Sequence, residues 1–295
     1  MDAVAQLQET DIGQILQPTY NIFVPLLEPK REEITRARKT FKYGETERHQ
    51  LDVYYPPHTD SEKHPLLVFI YGGGFVSGER TRPAPADLIY GNVGHYFASR
   101  GFVVIIPDYR LAPATTYPGP VFDIRDTLAW ATSHASELGP GADIDRVFIF
   151  GHSAGGVHVM TLLLEPTVRA DAQTSALLAR VKGAVIVSSP FSWAKAGSTS
   201  YFNGRELEAA PLPLLRAASE EVVKGLPPFA LITCERDPEF LKVAVSGTQK
   251  ALGERGIEAP VISAGGHNHI SVMVALGSGQ GERWAEESLK WIDGL

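Results

Sequence analysis

Five short runs in this chain are apolar on nearly every residue: Leu66–Ile70, Phe102–Ile106, Val147–Phe150, Ala184–Val187 and Phe229–Thr233. Their β-branched content and lack of polar alternation suit strands covered on both faces, the condition of a parallel sheet. Between them lie helix-length segments, Ala86–Arg100, Phe122–Leu138, Ala154–Leu164 and Glu239–Arg255, and Glu282–Ile292 reads as a closing helix. Strands alternating with helices confine the chain to an α/β architecture, a mostly parallel sheet with helices on both faces. Leu51–Tyr55 alternates more and reads as an early, partly exposed strand, with Arg36–Tyr43 a weaker candidate. Residues 1–35 and 191–225 stand outside the alternation. The first is helical and amphipathic with an apolar patch over Ile22–Leu27; the second carries Phe191, Trp193, Tyr201 and Phe202. Each is either ordinary peripheral packing or part of a small cap over the sheet. With no internal repeat or linker, residues 1–295 read as a single domain.

The run Val147–Phe150 leads directly into Gly151-His152-Ser153-Ala154-Gly155 and then a helical segment. This is G-x-S-x-G in the strand–turn–helix context that makes it a nucleophile elbow, in which a strained turn projects the serine beyond the sheet edge at a helix N-terminus. A serine hydroxyl is a weak nucleophile and needs both an oxyanion hole and a base. The run Leu66–Ile70 ends in Tyr71-Gly72-Gly73-Gly74-Phe75, where consecutive glycines let backbone N–H groups converge on one point. Ala154, the residue after the serine, supplies a further N–H. In the chain order serine, acid, histidine, the acid is sought after Phe229–Thr233. Asp237 lies in the loop beyond that strand end, followed by Pro238 at the expected helix start, and Glu235 is the alternative. Two histidines, His267 and His269, occupy the late glycine-rich stretch Gly265–Ser271, and composition does not choose between them. A metal site would need further ligands at suitable spacing, which no Cys or His cluster supplies, so neither metal nor organic cofactor is expected.

The formal net charge of −7 argues against nucleic acid or an anionic membrane as the main partner. No apolar run approaches the length of a membrane span. The N-terminus carries Asp2, Glu9 and Asp11 and no basic residue ahead of its apolar positions, unlike a signal peptide, and Cys234 is the single cysteine. A cytoplasmic protein acting on a small acyl substrate is expected, with a homodimer left open.

Pro107-Asp108-Tyr109-Arg110-Leu111-Ala112-Pro113, taken with the glycine run, the serine elbow, Asp237-Pro238 and the late histidine, resembles the hormone-sensitive-lipase-like carboxylesterase branch of the α/β-hydrolases, near the kynurenine formamidases. The resemblance spans Leu51 to the C-terminus. It implies the α/β-hydrolase fold, with Ser153 as nucleophile, Asp237 as acid, His269 as base, and the N–H groups of Gly73, Gly74 and Ala154 as oxyanion hole. The Asp108–Pro113 segment is structural in that branch. Two departures stand out. Tyr71 replaces the usual histidine before the glycines, an arrangement similar to that of cholinesterase-type hydrolases, and His152 replaces an aspartate before the serine. Tyr71 is expected to order its loop by a hydrogen bond. Tyr71, Phe75, His152, Phe191, Trp193, Tyr201 and Phe202 are candidate substrate contacts. The implied activity is hydrolysis of a carboxylic ester of a small or medium-sized substrate. An arylformamide, a thioester or a lactone, a cyclisation, and a receptor without catalysis are the other readings.

Overall fold

The computed structural model describes residues 1–57 and 63–295. Eight strands form one sheet: β1 (Arg38–Lys42), β2 (Gln50–Tyr54), β3 (His64–Ile70), β4 (Val103–Pro107), β5 (Ala142–His152), β6 (Val181–Val187), β7 (Phe229–Arg236) and β8 (Val261–Asn268). Their order is β1-β2-β4-β3-β5-β6-β7-β8. β2 runs antiparallel to both β1 and β4, and from β4 to β8 every pairing is parallel. The five apolar runs are the five central strands, covered on both faces and nearly inaccessible to solvent. The connection from β3 goes to β4 on one side, whereas β5 lies on the other. The sequence order thus reverses between β3 and β5, and the carboxyl ends of strands flanking such a reversal form a crevice where open α/β sheets place their ligands.

The helices follow their apolar faces. Ala154–Leu164 is buried on every residue, because it runs through the core behind β5. In Arg283–Asp293 the buried residues Trp284, Ser288 and Ile292 recur every fourth position and cover one flank of the sheet. Ile12–Leu27 starts on an Asp11 cap, whose carboxylate accepts the Gln14 N–H at 3.1 Å, and buries Ile15, Thr19, Phe23 and Leu27 at the same spacing. It packs on the short helix Ser271–Val274 that follows β8. Among the described residues no helix is long and apolar enough to cross a membrane.

Two elements differ from the sequence reading. The segment expected as a helix from Ala86 is helical only over Gly91–Ala98, because Tyr90 sits at φ 68° and the residues before it turn toward the sheet edge. β8 continues through Gly265 and Gly266 as far as Asn268, paired to Arg236 of β7, although its glycines read as a loop. At the sheet's edge one face of a strand is solvated, so the continuous apolar signal of a central strand is missing.

Candidate active site

The serine elbow is built by close backbone approach. Ser153 adopts φ 53° and ψ −123°, its N–H bonded to Val187 O of β6 at 2.9 Å, and the helix begins at the next residue. A Cβ at Gly155 would lie 2.0 Å from Ile70 O, so only glycine lets this helix start against the end of β3. On the facing loop, a Cβ at Gly72 would lie 2.8 Å from Ser153 Cβ, which places the glycine run directly beside the serine. Gly73 has φ 137°, and its carbonyl closes the turn by accepting the Ser77 N–H at 3.0 Å. That turn leaves the Gly73 and Gly74 N–H groups without a backbone partner among the described residues. Ala154 is the first residue of its helix, where N–H groups lack intrahelical acceptors.

Tyr71 holds this loop from behind. Its hydroxyl donates to Asp108 Oδ1 at 2.7 Å and accepts from Arg48 Nη2 at 2.9 Å, while the Tyr109 hydroxyl donates to Tyr71 O at 2.8 Å. Asp108 also takes the Arg80 N–H at 2.6 Å and an ion pair from the Arg80 guanidinium. The Asp108–Pro113 segment is therefore the anchor of the glycine loop, and the Tyr71 side chain is committed to that anchor.

The other half of the site comes from the ends of β7 and β8. His269 Nδ1 lies 3.1 Å from Asp237 Oδ1, with both side chains buried. Asp237 Oδ2 accepts from Ser188 Oγ at 2.6 Å and from the Cys234 N–H at 2.9 Å. Burial pushes the Asp237 carboxyl up, but the hydrogen bond and charge of His269, with Ser188 and Cys234, outweigh it and hold the group below the usual carboxylate range. It is thus a carboxylate at neutral pH and fixes the Nδ1–H tautomer of His269. Glu235 points elsewhere, accepting the Gly266 N–H at 2.7 Å on the surface. His267 is locked between Ser271 Oγ at 3.0 Å and Gly281 O at 2.7 Å, away from Asp237. Asn268, between the two histidines, accepts from the N–H groups of Ile270 and Ser271 and donates to Thr19 Oγ1 at 2.9 Å, tying the histidine loop to the N-terminal helix.

Ser153, His152, His269 and Gly72–Gly74 line one cavity of about 260 Å³. Its remaining wall comes from Ile12, Gly13, Leu16 and Tyr20 of the N-terminal helix, from Arg82 and Tyr90, and from Ile270, Met273 and Val274. His152 Nε2 lies 3.0 Å from His269 O, and its ring is tilted on that of His269. Its other nitrogen is buried without a partner. Burial, together with the neighbouring His269, pushes its pKa down to about 3, so it is a neutral imidazole. Phe75, Tyr201 and Phe202 are not part of this wall. Phe75 stacks on Tyr201 at 4.5 Å, and the two join Phe202, Tyr117, Ala154 and half-buried Trp193 in a separate apolar cluster on the far side of the elbow. Phe191 is buried in the main core. The 191–225 segment continues from there into the short helix Pro211–Ala217, packed on Ala154–Leu164.

Sequence reasoning missed the helix face Ile12–Leu16–Tyr20, whose four-residue spacing was there to be read while the more apolar patch at Ile22–Leu27 drew the eye. It also missed Ser188, for which a serine just past a strand end gives no distinctive signal.

The sequence model of the BD-FAE family matches residues 51–182, the stretch that holds both the glycine run and the serine elbow. The butyrate-bound esterase of the planctomycete Thermogutta terrifontis superposes with a TM-score of 0.68 at 19% identity, covering 88% of this chain and 94% of that one. The chain has the α/β-hydrolase fold. Among curated proteins, this chain is 28% identical over 207 residues to the carboxylesterase NlhH of Mycobacterium tuberculosis, covering 63% of the chain and 60% of the relative. It is 36% identical over 169 residues to the non-reducing polyketide synthase ausA of Aspergillus calidoustus, covering 53% of the chain and 6% of the synthase. It thus spans less than two thirds of the length of either relative. The likenesses thus include named esterases and a segment of a polyketide synthase.

Proposed function

We propose that this protein hydrolyses carboxylic esters of small or medium-sized substrates through a covalent acyl-enzyme on Ser153. The reading rests on one observation above the rest: the strained Ser153 elbow and His269, held from behind by buried Asp237, border the same cavity as the glycine run. His269 Nε2 takes the Ser153 proton as Oγ bonds to the acyl carbon. The carbonyl oxygen becomes an oxyanion received by the Gly73, Gly74 and Ala154 N–H groups. His269 then gives the proton to the leaving oxygen as the carbon–oxygen bond breaks. Water repeats the cycle on the acyl-enzyme and releases the acid. Asp237 remains ionised throughout and stabilises the imidazolium. No metal or organic cofactor enters these steps. The N-terminal helix serves as one wall of the substrate site in a single catalytic domain, working in the cytoplasm.

The likeness to a polyketide synthase favours one second reading, in which the acyl group is a polyketide carried as a thioester. The same residues would serve it. Labelling by a fluorophosphonate, followed by steady-state turnover of short nitrophenyl esters and matched thioesters, tests both. Ser153→Ala should abolish labelling and lower kcat by several orders of magnitude, on the order of 10³-fold or more. Normal turnover in a folded Ser153→Ala protein would remove the serine from the mechanism.

A further inference from the structure

Two arginines leave the glycine loop two residues apart and meet different fates. The Arg80 guanidinium is fully engaged, by Asp52 at 3.1 Å, by Gln50 at 2.9 Å and by Asp108. Arg82 is half-buried in the wall of the Ser153 cavity, and among the described residues no carboxylate comes within 4 Å of it. Its Nε is buried and has no hydrogen-bond partner among the described residues. Its close company is aromatic: the guanidinium carbon lies 5.5 Å from the ring centre of Tyr20 and 5.7 Å from that of Tyr90. Burial keeps both phenols protonated, so they offer polar contact and no counter-charge. Nearby acids are absorbed elsewhere, Asp87 by Arg31 and Asp52 by Arg80 and Arg38, while Glu79 stands beyond ion-pair distance.

A half-buried guanidinium whose polar contact is a neutral phenol carries part of its desolvation cost uncompensated, and an anion brought by a ligand recovers that part. The position of Arg82 says where the anion would sit. Leu16, Tyr20 and Arg82 line both the Ser153 cavity and an outer groove of about 620 Å³ formed with Gln17, Asn21, Val24, Pro83, Pro85 and Ala86. The inner cavity, at about 260 Å³, is small for a binding site, and Arg82 stands on the wall it shares with the larger groove, where a longer substrate would extend. The guanidinium fork matches a planar carboxylate through two parallel hydrogen bonds. The net charge of −7 works against more highly charged phosphates.

We propose that Arg82 is a specificity-determining residue that pairs with a carboxylate on the substrate, so that the preferred substrates are acidic esters bearing an ionised carboxylate several bonds from the scissile carbonyl. This rests on the ester-hydrolase reading of Ser153 only for its catalytic arm. The test compares nitrophenyl monoadipate with nitrophenyl hexanoate, equal in chain length and different only in the terminal carboxylate, on the intact protein. The wild type should favour the adipate in kcat/KM by about 10-fold or more, and Arg82→Gln should cut that ratio by about 10- to 100-fold, mainly through KM. Arg82→Lys should keep part of the ratio, since it retains the charge and loses the fork. A purely structural role, pinning Tyr20 to Tyr90, would lower both esters alike and leave the ratio where it was. Free adipate binding to Ser153→Ala, read by calorimetry with and without Arg82→Gln, reports on the site without turnover. Adipate bound through Arg82 with neither ester hydrolysed by the wild type would sink the hydrolase reading and keep the carboxylate site. A ratio near one in the wild type, a ratio unmoved by Arg82→Gln, or no adipate binding would overturn the proposal.

Discussion

The bond from Asn268 Nδ2 to Thr19 Oγ1 joins the N-terminal helix to the loop that carries His269, and it can be cut with little change of shape. Thr19→Val is nearly isosteric and opens no cavity, but it leaves the Asn268 amide N–H unsatisfied at a fully buried position. Such a group costs about 1–3 kcal/mol. For a chain of this size that corresponds to a fall in Tm of roughly 2–5 °C. Asn268→Ala should cost more, because its Oδ1 also accepts the Ile270 and Ser271 N–H groups at 3.1 and 2.8 Å. Once Asn268 is gone, removing the Thr19 hydroxyl strands nothing, so the second substitution should then be nearly neutral. A double-mutant cycle by urea unfolding should therefore give a coupling energy of about 1–3 kcal/mol. Because Asn268 immediately precedes His269, kcat should fall in Thr19→Val as well, with the labelling of Ser153 slowed in parallel. Additivity of the two substitutions to within about 0.5 kcal/mol would show that the bond does not couple helix and loop.

Further tests separate the two histidines and use the buried imidazoles. His269→Ala should nearly silence turnover, since Ser153 would lose its proton acceptor. His267→Ala should keep most of the rate but lower stability by roughly 1–3 kcal/mol through the unpaired Ser271 and Gly281 groups; the reverse pattern in kcat would move the base to His267. Burial pushes His152 and His158 down to about 3, against an unfolded value near 6.5. The unfolded chain therefore binds more protons across that window, and stability falls as pH drops from about 6.5 toward 3. By pH 5 the loss should reach on the order of 2 kcal/mol for each imidazole. Urea midpoints at pH 7.5 and pH 5 should record it, and His158→Phe should flatten the slope; an unchanged slope would mean that His158 is not neutral in the folded protein.

The elbow and the glycine run were legible because each is local. Ser153 needs a strand before it, a helix after it and glycine at Gly155, and all three are written in one stretch of chain. The central strands were legible for the same kind of reason: burial on both faces leaves a run with no polar residue. Tyr71 could be expected to form a hydrogen bond, but its partners Asp108 and Arg48 are distant in sequence and become neighbours only when β3 and β4 pair.

The sequence alone determined the sheet's central strands, the position of the serine elbow and the short lists of candidate acids and bases. What tertiary structure decided was which members of those lists meet. Asp237 and His269 meet because β7 and β8 pair in parallel and end together, while Glu235 faces the surface and His267 is held by Ser271 and Gly281. The aromatic residues of the 191–225 segment had the composition of a substrate site, yet they pack behind the elbow, and the cavity wall is given to Ile12, Leu16, Tyr20 and Arg82. The physical reason is that an apolar side chain lowers its free energy equally against core or ligand. Its composition therefore says that it will be covered and not by what; only the direction in which each helix face is presented to the sheet edge settles that.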